Sequence, residues 1–146
     1  VDAEIIKELV RPVGFYNQKT ARLIDFALYV KNRYGKIEKM LDGETLKVRS
    51  ELLSLKGIGR ETADSILLYA GGHPIFVVDA YTRRLASCIG IDPDQDYDDL
   101  RAIFELGLER NPKLFNEYHA LIVRLGKEHC RTKPLCEGCP VFPFRK

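Results

Sequence analysis

The chain has 146 residues, 45% of them hydrophobic and 30% charged, and its formal net charge is only +2. That is enough for one ordinary domain, or two small ones sharing a core, and the balance excludes a disordered or collagen-like chain. No apolar run approaches the roughly eighteen residues of a membrane span, no signal-peptide pattern opens the chain, and so small a net charge does not by itself announce a nucleic-acid partner.

Helical periodicity dominates from the start. Val1 stands where Met would open a complete protein, and the first residues already read as helix, so the chain is expected to be a fragment or the ordered part of a longer one. Residues 2–9 form a short helix closed by Arg11 and Pro12, and Gly14 breaks the chain within RPVGFYN. Residues 20–34 carry Leu23, Ile24, Ala27, Leu28 and Val30 on one helical stripe, stopped by Gly35. Helices over 44–55 and 61–70 follow, the second ended by Gly71, Gly72 and Pro74. Ile75, Phe76, Val77 and Val78 resemble a strand but have no partner run, so they predict an extended buried linker. Asp79 opens a helix to about residue 89, and helices over 97–109 and 112–125 complete an all-α chain with short connections.

Charge is unevenly spread along this order. Asp92, Asp94, Asp96, Asp98, Asp99 and Glu105 face Arg101 alone. From residue 124 on, Arg124, Lys127, Arg131, Lys133, Arg145 and Lys146 outweigh Glu128 and Glu137, a tail that suits a polyanion or is simply a solvated face. Three of the four cysteines, Cys130, Cys136 and Cys139, crowd into the same tail with a C-x5-C-x2-C spacing. Pro134, Pro140 and Pro143 leave it without periodicity, so something other than a helix must hold it. Without a secretion signal that clustering favours metal over disulfides. Cys88, inside a helical pattern, reads as a core thiol.

Two stretches carry chemistry. In LKGIGRETAD, residues 55–64, Gly57 and Gly59 straddle Ile58 between two helices. Such a turn can be a plain helix corner, or it can offer the amides of Gly57, Ile58, Gly59, Arg60 and Thr62 to a phosphate at a helix amino end. In PIFVVDAYTRR, Asp79 is placed to cap a helix. A carboxylate delivered by a buried segment to a helix start can be capped and functional at once.

Taken together, LKGIGRETADSILLYAGGHPIFVVDAYTRRLA resembles the helix-hairpin-helix and Gly/Pro-loop-plus-aspartate signature of the endonuclease III superfamily of DNA glycosylases. GFYNQKTARLI resembles the segment that precedes the hairpin in those enzymes, and the cysteine tail resembles their iron–sulfur loop. The resemblance covers nearly the whole chain. It implies the helix-hairpin-helix glycosylase fold with its amino-terminal helices missing: a partial helical barrel over 1–108, holding the hairpin (55–64) and the aspartate loop (71–79), and a carboxy-terminal helix and Cys-rich loop over 109–146 packing with helix 1–10. It further implies double-stranded DNA with a damaged base as partner, no membrane, a cytoplasmic or nucleoid location, and a second chain covering the incomplete barrel.

By the same resemblance Asp79 is the catalytic carboxylate of N-glycosidic bond hydrolysis, a reaction that builds oxocarbenium character on the sugar. Lys19 joins the phosphate-binding set. Glu61 stands where the strand-cleaving members carry a Schiff-base lysine, which implies base removal without a lyase step. Glu61 together with GFYNQK is most similar to the 3-methyladenine glycosylases of the endonuclease III type. A cationic alkylated base would suit stacking on Phe15, Tyr16 or Tyr81, with negative potential from Glu61; each aromatic also reads as ordinary packing, and Glu61 as an ordinary first-turn residue. A uracil, thymine-mismatch or oxidised-base glycosylase, or a non-catalytic DNA-binding module, are the alternatives. The cysteines imply a [4Fe–4S] cluster with an incomplete ligand set, because Arg145 stands at the fourth position; no cofactor, or zinc with His129, stay open.

Overall fold

The computed structural model describes residues 2–131 and 133–146, and among them the secondary structure is helical with no strand. No helix among them is long and apolar enough to cross a membrane. The backbone divides into two compact units, one ending at Gly59 and one beginning at Arg60.

The first unit holds α1 (Ala3–Val10), a 3-10 turn over Arg11–Val13, α2 (Tyr16–Arg33), α3 (Ile37–Leu41) and α4 (Thr45–Ser54). Asp2 caps α1 by accepting from the Glu4 amide at 3.0 Å. α2 starts four residues earlier than its apolar stripe predicts, because Phe15 adopts a left-handed conformation (φ 47°) that lets the helix begin at Tyr16. Val30, Met40, Leu41, Val48 and Leu52 form the buried core. At its edge the Glu51 carboxylate accepts from the hydroxyls of Tyr29 and Tyr34, each at 2.6 Å, tying α2 to α4. The short α3 has no sequence period of its own; it exists because Met40 and Leu41 are buried there.

The second unit holds α5 (Arg60–Ser65), α6 (Ala80–Cys88), α7 (Tyr97–Glu105) and α8 (Pro112–Glu128), with a 3-10 turn at Phe142–Phe144. α5 widens into a π-helical turn over Ile66–Ala70, closed where the Gly71 amide reaches the Ile66 carbonyl. Ile75, Phe76, Val77 and Val78 form a fully buried linker outside any helix or strand. Two of their amides are satisfied by side chains instead of a strand partner: the Phe76 amide donates to Glu105 Oε1 at 2.8 Å, and the Val78 amide to the Tyr97 hydroxyl at 3.2 Å. Phe76 is the hub of the core, stacked on Phe104 with ring centres 5.5 Å apart and edge-on to Phe115 at 6.0 Å. α7 ends at Glu105, four residues short of the prediction, before Leu106, which is exposed.

Candidate active site

The buried linker delivers Asp79 to the first residue before α6 with its backbone extended. One oxygen of its carboxylate does the work of a cap. Oδ1 accepts from the Thr82 amide at 2.8 Å and from the Thr82 hydroxyl at 3.0 Å, and Thr82 is itself fully buried. The other oxygen is held differently. Oδ2 lies 3.4 Å from Nε2 of His119, a buried residue of α8. That is ion-pair reach, and Nε2 has no aligned hydrogen-bond partner among the described residues. On the far side of the ring, Nδ1 meets the hydroxyl of Tyr69 from the π-helical turn. The proton placement that serves both neighbours puts hydrogen on Nε2, toward Asp79, and lets Nδ1 accept from Tyr69.

Electrostatics separate the two carboxylates of this region. Burial would push the Asp79 carboxyl up, but His119 and the amide and hydroxyl of Thr82 outweigh it and hold the group below its ordinary range. Glu61, near the start of α5, moves the other way: burial of its carboxyl, then the negative charge of Asp79, push it up against the opposing pull of His119 and Arg83. Asp79 is thus kept ionised while Glu61 holds its proton longer, a division that suits distinct roles for two neighbouring acids. Arg83 also anchors the loop after α6 by donating to the carbonyls of Pro93 and Gln95.

The remaining sequence-predicted residues have these positions. Asp79, Glu61, Tyr81, Arg60 and Thr62 belong to the second unit, and Phe15, Tyr16, Lys19, Gly57, Ile58 and Gly59 to the first. Gly57 is left-handed (φ +88°), and a Cβ there would lie 2.4 Å from the Arg22 side chain, so only glycine makes this turn. Ile58 is half-buried and its amide closes the turn onto the Leu55 carbonyl at 3.1 Å. Arg60 is paired with Asp96 at 2.7 Å and Asp98 at 3.2 Å, and the Lys19 ammonium donates to the Val13 carbonyl at 2.8 Å. Phe15 is 83% exposed. Tyr16 lies under the Arg11 guanidinium, and Tyr81 lies under Arg84 and against Gly126 of α8.

His119 and Tyr69 are absent from the sequence-predicted set. His119 had a signal: it sits among Phe115 and Ile122 on the buried stripe of α8, a polar residue at a core position. Tyr69 had none, since a π-helical turn leaves no period to read.

The tail surrounds a second feature. Cys88, Cys130, Cys136 and Cys139 all line one cavity of about 510 Å³, with Arg84 and Arg145 on its wall. All four are free thiols and half-buried. The Cys130 thiol is pushed up by burial and then by Cys139, Cys88 and Cys136, with Arg84 opposing. Among the described residues no three His, Cys, Asp or Glu side chains stand as close as a single metal ion requires. A multi-atom cluster spaces its thiolates more widely than one zinc, whose sulfur bonds are about 2.3 Å long. Four free thiols around one cavity fit such a cluster.

With this geometry in view, the comparisons with known proteins identify the class. Residues 1–110 match the HhH-GPD superfamily of base excision DNA repair proteins, and the chain belongs to that superfamily. A protein of Methanocaldococcus jannaschii, provisionally named a DNA repair glycosylase, is 48% identical over 99% of this chain and 67% of its own length. The crystal structure of H. pylori 3-methyladenine DNA glycosylase bound to 1,N6-ethenoadenine superposes with a TM-score of 0.74 and 33% identity, over 88% of this chain and 64% of that one. An endonuclease III in non-covalent complex with DNA shares the fold at a TM-score of 0.78 and 23% identity, over all of this chain and 65% of that one. The chain therefore spans about two thirds of the length of the relatives it matches.

Proposed function

We propose that this chain carries the chemistry of a monofunctional DNA glycosylase that hydrolyses the N-glycosidic bond of a flipped, damaged base. One observation carries the reading. Asp79 is locked by its cap at one oxygen and kept ionised, with the other oxygen turned toward His119 instead of being consumed by the helix. An ionised carboxylate fixed in that way is preorganised to stabilise an oxocarbenium-like sugar or to take a proton from the attacking water. His119, backed by Tyr69, holds the ring face that keeps Asp79 charged.

The target base must leave the stack before it reaches Asp79. Its class is an alkylated purine such as 3-methyladenine, supported by the 33% identity to the H. pylori enzyme and by the sequence around Glu61 and Phe15. Phe15, exposed and in a strained left-handed conformation, is the strongest of the three aromatic stacking candidates beside Tyr16 and Tyr81. Glu61 cannot form a Schiff base, so strand cleavage is not part of the reaction. Duplex DNA is held through its backbone by Gly57, Ile58, Gly59, Arg60, Thr62 and Lys19, where the cell keeps its DNA. The cysteine cavity holds a [4Fe–4S] cluster through Cys130, Cys136 and Cys139, and that group supplies a rigid core to a tail with little regular structure. A second chain covers the apolar residues left exposed on α1 and α2.

The test uses the full-length protein and duplexes bearing 3-methyladenine, 7-methylguanine, uracil or thymine glycol, each followed by alkali. Release of an alkylated purine that vanishes in Asp79→Asn is the expected result. Release of uracil or thymine glycol alone overturns the substrate class, and no release from any duplex overturns the enzyme in favour of a binding module. Nicking without alkali, trapped by borohydride, removes the monofunctional claim.

A further inference from the structure

The loop offers three thiols to a group that takes four, and one further cysteine, Cys88, lines the same cavity. We propose that Cys88, the last residue of α6, supplies the fourth thiolate, so that one cluster bridges the aspartate-bearing helix and the carboxy-terminal loop. The proposal rests on the cluster reading above and names the ligand that reading leaves open.

Three observations support it. Cys88 lines the same cavity as Cys130, Cys136 and Cys139. It stands at the carboxy end of α6, where the chain leaves the helix through Ile89 and Gly90. Lys146 is tied to that point, for its amide donates to the Cys88 carbonyl at 3.2 Å and its side chain packs against Gly90. Arg145, which the sequence places where a fourth cysteine is missing, lines this cavity as well. Arg145 and Lys146 thus reach the site without bringing a thiol, and α6 presents one there. The surroundings suit a thiolate-held group. Arg84, also of α6, donates to the Cys130 carbonyl at 2.9 Å, and the Leu135 amide closes the loop onto the His129 carbonyl at 2.9 Å.

The chemistry balances simply. On loading with equal parts of ferrous and ferric iron and with sulfide, each of the four thiols would give up its proton to solvent and its sulfur would donate one electron pair to one iron, so that no electron is gained or lost; Cys88 would ligate the iron that the loop leaves open. α6 is then fixed at both ends, by the Asp79 cap at its start and by the cluster at its finish.

The test compares the full chain with Cys88→Ser and Cys136→Ser, purified without oxygen and reconstituted with equal parts of ferrous and ferric iron and with sulfide. Iron, sulfide and zinc are measured per chain, with visible absorption, electron paramagnetic resonance and circular dichroism. The proposal expects about four irons and four sulfides in the unaltered chain. Cys88→Ser should fall to the content and resonance of a three-iron cluster, or lose iron as completely as Cys136→Ser, with its helical signal kept. Full iron content and an unchanged spectrum in Cys88→Ser overturn Cys88 as ligand and leave the cluster standing. An unaltered chain that takes up no iron, or zinc in its place, overturns the cluster reading itself and this proposal with it. If Cys88→Ser does not fold, alkylation of the unaltered chain decides. Cys88 should react only after oxidation and chelation strip the iron, and equal rates before and after overturn the assignment.

Discussion

The carboxylate of Asp79 divides its labour between its two oxygens, and the residues that cause the division can be tested one at a time. His119 acts through Asp79: it supplies an N–H side to Oδ2 while Tyr69 fixes the ring from behind. His119→Ala should lower the rate of base release about a hundredfold through misplacement of the carboxylate, with DNA affinity unchanged, whereas His119→Gln, which keeps an N–H donor, should recover part of it. Equal rates in single-turnover assays of the two variants and the unaltered chain would remove His119 from the mechanism. The same contacts make a statement about stability. Because the folded state holds the Asp79 group below its unfolded value of about 3.9, its contribution is present above that pH and lost as pH falls through the folded value. The difference in Tm between the unaltered chain and Asp79→Asn, followed by thermal denaturation from pH 6 downward, should therefore shift against the unaltered chain below about pH 4. A pH-independent difference would mean that the Thr82 and His119 contacts do not favour the charged form. At this scale the sequence was informative about Asp79, whose place after four apolar residues and before a helix is local, and uninformative about Tyr69, whose approach to His119 needs a contact across fifty positions of chain.

Among the elements, α6 and α8 meet in a close joint. Gly126 lets Tyr81 pack directly on the α8 backbone, and a Cβ there would lie 2.1 Å from the Tyr81 ring. Gly126→Ala should cost about 1–3 kcal/mol by overpacking, and Phe76→Ala, which empties the hub of the second core, about 3–5 kcal/mol. Urea unfolding measures both; a Gly126→Ala chain as stable as the original would mean that α6 and α8 can separate without loss. Element boundaries were legible where a local signal set them and not where packing did. Asp2 caps α1 and Asn111 caps α8, each by accepting from amides of the first turn, next to the helix starts that the sequence predicts at 2 and 112. The early start of α2 depends on a left-handed Phe15, and the short α3 on burial of Met40 and Leu41, neither of which has a periodic signature. The linker at 75–78 is buried and outside any strand, as the lack of a partner run predicts, and Glu105 and Tyr97 supply partners for two of its amides.

On the scale of the whole molecule, the unit ending at Gly59 leaves Ile5, Leu9, Val13, Leu23 and Leu28 exposed on and around α1 and α2. So many large apolar side chains on two neighbouring elements is more than isolated surface residues explain. The 146-residue chain should elute in a sizing experiment as a species larger than its 16.7 kDa, and a monodisperse monomer would remove the second chain from the proposal. Charge at this scale stays uninformative, since a net +2 hides the separation of the acidic 92–105 stretch from the basic tail.

What the sequence determined alone was everything that rests on near neighbours in the chain: the helical period, the glycine turn at 55–59, the apolar run that ends in Asp79, and the spacing of three cysteines. Their combination was enough for the superfamily. The tertiary structure decided which distant side chains meet. It set His119 of α8 beside Asp79, raised Glu61 against it, and turned Cys88 from a core thiol into a wall of the cysteine cavity. The reason is physical: periodicity reports which face of a helix is buried, but only the packing of one helix on another determines what that face touches.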